Sequence, residues 1–393
     1  MNLRLLALTE RAEIARKNRQ SGKIRSVTRY LSDLSQSIFA SLGLAEVDDP
    51  LHLGPSPFGR ECLVLVDGLG LDALAQYGHA FPVFQQLNQL PKLTSHFPTT
   101  TATNLSSLGT GVLPGVHGML GYTVRVPRSG EPGRLLNALK WDERVDPGIW
   151  QSTATLFERA KVAGISVSHV AAKRYEGSGF TRAALRGADY LGTNYMEEMV
   201  GLASKALLST PSFAYVYVNN VDSAGHEKGV GSEKWLEALR AVSNLVVGLV
   251  DRLPKGTRIW LTSDHGMINV GEKIVLGQEN PLMEDVTLVG GEPRARHIYL
   301  RDGSLADALA RWRQTLGESA QILSREEAIA AQLFGSEVTV ASEERLGDLI
   351  AIPRGELVLI DPSRIAQESS MIGHHGALTD IEREIPLLTA IVS

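Results

Sequence analysis

Glu61-Cys62-Leu63-Val64-Leu65-Val66-Asp67-Gly68 is an apolar run that ends in a carboxylate and a glycine. A short, uninterrupted apolar run of this kind reads as a strand buried on both faces, as parallel strands are. Comparable runs recur at Ile165–Val170, Phe213–Val218, Arg258–Thr262 and Leu357–Ile360. Helix-like stretches accompany them at Gln151–Ala163, Asn194–Leu208, Glu233–Leu253 and Ser304–Leu316. The alternation predicts an α/β fold, a three-layer sandwich whose largely parallel central sheet carries helices on both faces. Sheets of that kind place their sites beyond the carboxyl ends of the strands, where Asp67 falls.

The chain has 393 residues, 43% hydrophobic and 21% charged, with a net charge of -5. These values fit a soluble globular protein and give no sign of a surface for nucleic-acid polymers. The basic stretch around Arg11 to Arg29 is interspersed with acids and polar residues and reads as a solvated helix face. The single cysteine, Cys62, excludes a disulfide framework and a cysteine-rich zinc site; within its apolar run it reads as a buried thiol. No run reaches membrane-spanning length, and the first ten residues lack a secretory apolar segment, so a cytoplasmic location without membrane contact is expected. Residues 1–60 read as an N-terminal extension packed on a catalytic domain of residues 61–393. Residues 121–150, rich in Gly, Pro and Arg, and residues 268–345 break the strand–helix rhythm and read as insertions capping the site.

Three further stretches carry Asp and His: Asp222-Ser-Ala-Gly-His226, Ser263-Asp264-His265-Gly266 and Gly373-His374-His375-Gly376. If the first is helical, Asp222 and His226 share one face at i and i+4 and can grip one ion. Asp264 and His265 follow the Arg258–Thr262 run, and for both to reach one ion the chain must turn, as Gly266 permits. One of His374 and His375 is expected to bind. Carboxylate and imidazole together suit zinc or manganese better than calcium. Each stretch also has an ordinary structural reading: Asp67 as a helix cap, Asp222 and His226 as a polar loop, His374 and His375 as a surface feature. Phe97-Pro98-Thr99-Thr100-Thr101-Ala102-Thr103-Asn104 is either a helix N-terminus or a nucleophile segment, a threonine hydroxyl needing a base or metal to act. Neither G-x-S-x-G nor a P-loop occurs, and Gly68-Leu69-Gly70 lacks the third glycine of a dinucleotide fingerprint.

Taken in order, Asp67, the FPTTTATN segment, D-x-x-G-H, S-D-H-G and G-x-H-G resemble the alkaline phosphatase superfamily, and within it the nucleotide pyrophosphatase/phosphodiesterase (type I phosphodiesterase) family. The resemblance spans residue 61 to the C-terminus. It implies an alkaline-phosphatase-like sandwich with two divalent ions, usually zinc. One ion would be held by Asp67, Asp264, His265 and the Thr101 oxygen, the other by Asp222, His226 and His375. Thr101 would be the nucleophile, passing through a phosphorylated threonine that water then hydrolyses, and Asn104 would donate to a phosphoryl oxygen. Three aspartates and an ionised Thr101 balance two divalent ions, and ions about 4 Å apart can clamp the attacking and bridging oxygens. Two departures from the family pattern bear on substrate. Ala102 stands where nucleotide-cleaving members carry an aromatic, a role Tyr175 would have to share, and D-G-L-G-L replaces D-G-x-R. The implied activity is hydrolysis of a small-molecule phosphodiester or pyrophosphate. The alternatives are a phosphomonoesterase or phosphonate hydrolase, with Arg174 or Arg296 lending charge, a phosphosugar mutase, or a non-catalytic scaffold. Cys62 lacks the context of a sulfatase.

Overall fold

The computed structural model describes residues 28–393, so the basic stretch and the N-terminal decapeptide fall largely or wholly outside the described residues. Five strands, Arg258–Thr262, Arg60–Val66, Ser212–Val218, Ser166–Ala172 and Asp189–Thr193, lie side by side and parallel. Leu387–Ile391 extends the sheet antiparallel to Arg258–Thr262, and Asn88–Gln89 closes that edge.

Alternation along the central strand separates two cores. Leu63 and Leu65, with Phe213 and Tyr215, face helices Leu31–Ser41, Thr101–Thr110 and Leu156–Val162. Cys62, Val64 and Val66, with Ala214 and Val216, face helices Met196–Ala206 and Glu233–Arg252. The longer of these presents Leu239, Val242, Leu245, Val246 and Leu249, the i, i+3, i+7 stripe of an amphipathic helix. Leu31, Leu34, Ile38 and Phe39 of the Leu31–Ser41 helix are fully buried, and Arg258 Nη2 donates to Ser41 Oγ at 3.0 Å, which fastens residues 28–60 to the sheet. Among the described residues no helix is long and apolar enough to cross a membrane.

The strand-like run Leu357–Ile360 departs from expectation. It pairs in parallel with Glu272–Val275, outside the central sheet. Its residues are all buried, but against a third core under the cap, and apolar periodicity does not distinguish one core from another. That cap is a four-stranded antiparallel sheet in the order Val286–Glu292, Ala295–Leu300, Leu349–Pro353, Ala320–Ser324. The Leu305–Leu316 helix buries Trp312 against it. Its third strand lies beyond residue 345, so the irregular region is longer than the sequence suggests. The hairpin of Thr123–Val126 and Arg134–Asn137 is tied to the same sheet, Thr123 Oγ1 donating to Gly291 O and Arg125 N to Tyr299 Oη.

Candidate active site

Asp67 continues the Arg60–Val66 strand by one residue, its N–H donating to Val218 O of the neighbouring strand. In the pairing register Leu65 lies beside Thr262, so Asp67 and Asp264 leave adjacent parallel strands at the same level. Asp264 Oδ1 accepts the N–H groups of Gly68 and His265 at 3.3 and 3.1 Å. Ser263 Oγ accepts from Leu69 N and donates to His265 O, which bends the chain so that Asp264 and His265 converge. Gly68 has φ +74°, and a Cβ there would lie 3.0 Å from Cα and Cβ of Asp222. Glycine therefore lets the second group of residues approach the first.

That second group starts on a helix, Asn220–Lys228, which places Asp222 and His226 one turn apart with Nε2 3.3 Å from Oδ1. His375 Nε2 lies 3.7 Å from the same oxygen. Two triads result, Asp67/Asp264/His265 and Asp222/His226/His375, each with ligand-type atoms within 4.8 Å of one another. The rings of His265 and His375 stack at 3.6 Å, so the triads touch. His374, the other member of the pair, turns its Nε2 toward Glu368 O.

The donor atoms fit divalent cations. His226, His265 and His375 each direct Nδ1 at a backbone carbonyl, of Gly373, Gly266 and Thr99, at 2.8–2.9 Å. A carbonyl only accepts, so Nδ1 carries a proton, and in the singly protonated ring the Nε2 lone pair is left for a ligand. Asp222 Oδ1 and Asp264 Oδ2 are buried without any hydrogen-bond partner, one in each triad. Burial, reinforced by the charges of Asp264 and Asp222, holds the Asp67 carboxyl well above the usual carboxylate range. Burial and the neighbouring His265 and His226 push His375 far below the usual imidazole range, which keeps it neutral. Gathered carboxylates and neutral imidazoles of this kind are stabilised when a cation supplies the missing charge.

Thr101 is the first residue of the fully buried Thr101–Thr110 helix. Its Oγ1 lies 3.4 Å from Asp67 Oδ1 and 3.3 Å from His265 Nε2, beside the buried triad, and the helix N-terminus favours negative charge there. The structure thus brings Asp67, Thr101, Asp222, His226, Asp264, His265 and His375 together. Asn104 is placed differently from expectation. It is fully buried, and its amide donates to the carbonyls of His96, Pro98 and Thr100 while its oxygen accepts from His96 N. In this arrangement the Asn104 amide engages the main chain at the bend leading into Thr101.

Thr99 was not singled out by its sequence. Its hydroxyl accepts from Gly376 N and donates to Ala377 O, its N–H donates to Gly376 O, and its carbonyl receives His375 Nδ1. The nucleophile segment and the His375 loop are therefore clamped together. Two cavities open at Thr101. The larger, about 220 Å³, has Tyr122, Glu292, Arg364 and His374 in its wall; the smaller, about 110 Å³, has Tyr175, Phe180 and Tyr217. Among the described residues, Arg364 is the one guanidinium lining either. Arg296 is bound to Glu368 and Leu359 O, and Arg174 to Tyr175 and Asn219.

Residues 62–378 match the family model for type I phosphodiesterase/nucleotide pyrophosphatase. Among curated proteins, ectonucleotide pyrophosphatase/phosphodiesterase family member 1 of Mus musculus is 28% identical over 231 residues, and the Homo sapiens protein 27% identical over 224. Those matches cover 52% of this chain but only 24% and 23% of the relatives' length. Among solved structures, an inactive variant of murine ectonucleotide pyrophosphatase/phosphodiesterase 5 in complex with AMP superposes with a TM-score of 0.66 at 15% identity, covering 84% of this chain and 87% of its own. Phosphonoacetate hydrolase from Sinorhizobium meliloti, in complex with phosphonoformate, gives 0.64 at 17% identity over 85% and 90%. With most of its length inside the family model and its fold shared with these structures, the chain belongs to the type I phosphodiesterase/nucleotide pyrophosphatase family, within the alkaline phosphatase superfamily.

Proposed function

We propose that the protein is a two-metal hydrolase of small phosphodiesters or pyrophosphates, with Thr101 as nucleophile. The observation that carries this is Thr101 Oγ1 at the head of a buried helix, within 3.5 Å of Asp67 and His265, beside one of two cation-ready triads that meet at the stacked His265 and His375 rings. Asp67, Asp264, His265 and Thr101 would hold one ion and Asp222, His226 and His375 the other; nitrogen and carboxylate donors favour zinc, with manganese the next candidate. Such ions supply Lewis acidity, offsetting the three carboxylates and favouring the ionised threonine. Thr101 Oγ1 attacks phosphorus, the bond to the leaving oxygen breaks, and the phosphoryl group rests on Thr101 until water displaces it. The Thr101–Thr110 helix N-terminus faces the anion throughout.

The diester is favoured over the monoester because, among the described residues, Arg364 is the one guanidinium in the walls of the two cavities at Thr101, and a dianion calls for more cationic help. Arg364 keeps the phosphonate or monoester reading in view, and matched mono- and diester rates separate the two. The decisive experiment is hydrolysis of an aryl phosphodiester by chelated enzyme with zinc or manganese restored. Activity returns with metal, and Thr101→Ala loses at least about 1,000-fold. Turnover indifferent to both chelation and T101A would sink the proposal.

A further inference from the structure

Tyr217 is 9% exposed, and its hydroxyl donates to Asp67 Oδ2. The pleat explains the pairing. Leu65 and Tyr217 are register partners on adjacent parallel strands, so the side chain of Asp67, two residues beyond Leu65, emerges on the same face as the Tyr217 ring. Tyr175 packs edge-on against that ring at 6.0 Å and holds its orientation. Asp67 Oδ1 faces the other way, 3.3 Å from His265 Nε2 and 3.4 Å from Thr101 Oγ1. The unpartnered Asp264 Oδ2 lies 3.6 Å from the same imidazole nitrogen. Four donor atoms therefore lie close together, and although Thr101 Oγ1 is almost equidistant from the two Asp67 oxygens, at 3.4 and 3.5 Å, Oδ2 is the one already engaged by Tyr217 and Oδ1 the one beside His265.

We propose that Tyr217 is a positioning residue for the buried triad: by holding Asp67 Oδ2 it commits Asp67 to offer a single oxygen, Oδ1, to the metal ion. The inference rests on the reading that Asp67, Asp264 and His265 hold a divalent ion. One oxygen from Asp67, one from Asp264, Nε2 of His265 and Oγ1 of Thr101 make four donors, the number zinc takes. Freeing Oδ2 would supply a fifth donor and an untethered carboxylate, which suits an ion of higher coordination number such as manganese. Tyr217 thus both stiffens the triad and tilts its choice of ion.

The test is Tyr217→Phe, which removes one hydroxyl and keeps the ring. Competition against a chromophoric chelator reads stoichiometry and affinity without turnover, so its outcome stands whether or not diesters are the substrate. One of the two zinc equivalents should bind about 10- to 100-fold more weakly in Y217F, as for loss of a hydrogen bond to a metal ligand, while manganese affinity stays within about threefold. Zinc affinity unchanged at both equivalents would overturn the proposal, as would parallel losses for zinc and manganese, the mark of a general loosening. A zinc-loaded structure of the wild-type protein is a second test that needs no variant. Asp67 bound through Oδ1, with Tyr217 on Oδ2, supports the inference, and Asp67 bound through both oxygens overturns it.

Discussion

The two triads are built from different materials. Asp67, Asp264 and His265 leave the ends of neighbouring strands, and their side chains are 3%, 0% and 0% exposed. Asp222 and His226 ride one turn of a short helix and His375 a glycine-flanked loop, with side chains 14%, 21% and 9% exposed. Strand register fixes the first set through main-chain pairing on both sides; the second depends on a helix and a loop meeting. Rigidity and desolvation are thus concentrated on the side beside Thr101, and solvent contact on the side that opens to the larger cavity.

Substitution of one carboxylate in each triad puts that contrast to its severest trial. Asp264→Asn and Asp222→Asn should each lower diester hydrolysis by more than about 100-fold, since both remove a metal donor. Their metal-free forms should part company. Asp264 is fully buried and burial raises its carboxyl, so D264N removes the cost of desolvating a carboxylate and should raise the melting temperature of chelated protein by a few degrees. D222N, at a more solvated position, should shift it by less than about one degree. Equal shifts would show that the two triads are electrostatically alike.

Asn104→Ala probes the bend beneath Thr101. Removing the amide strips His96 O and His96 N of their partner, while Pro98 O and Thr100 O keep the N–H groups of Thr100 and Asn104, so stability should fall by about 2–4 kcal/mol in urea unfolding. A donor to the phosphoryl group would instead show as a loss in kcat with stability nearly unchanged. The smallest effect concerns the cavity on the exposed side. Burial raises the Glu292 carboxyl from 4.5 to about 8. A carboxyl raised in the folded state contributes stability below its unfolded value, and this is lost as pH climbs toward the folded one. Wild-type protein should therefore lose melting temperature relative to Glu292→Gln between pH 5 and 8, by a few degrees, and level off above. A constant difference across that range would remove Glu292 from the electrostatics of this cavity.

The sequence carried four of the five parallel strands because each was a short apolar run, and the carboxylates because they stood where such runs stop; Asp189–Thr193, an edge strand carrying Asp, Tyr, Gly and Thr, offered no such run. It carried Asp222 and His226 because helical spacing is itself a geometric statement. Residues alone could not choose between His374 and His375, a choice made by Glu368 O on one side and Thr99 O on the other. Tyr217 and Thr99 were silent for the same reason: their partners lie 150 and 276–278 positions away, and no local pattern encodes such pairs. Leu357–Ile360 misled because burial is blind to which sheet provides it.

The clamp at Thr99 has a consequence for the birth of the protein. Its partners, His375, Gly376 and Ala377, are made some 276 to 278 residues after it. On the ribosome, a chain that has completed the Thr101 helix still lacks the loop that seats against Thr99, and that wall of the candidate site closes only once translation has passed residue 377.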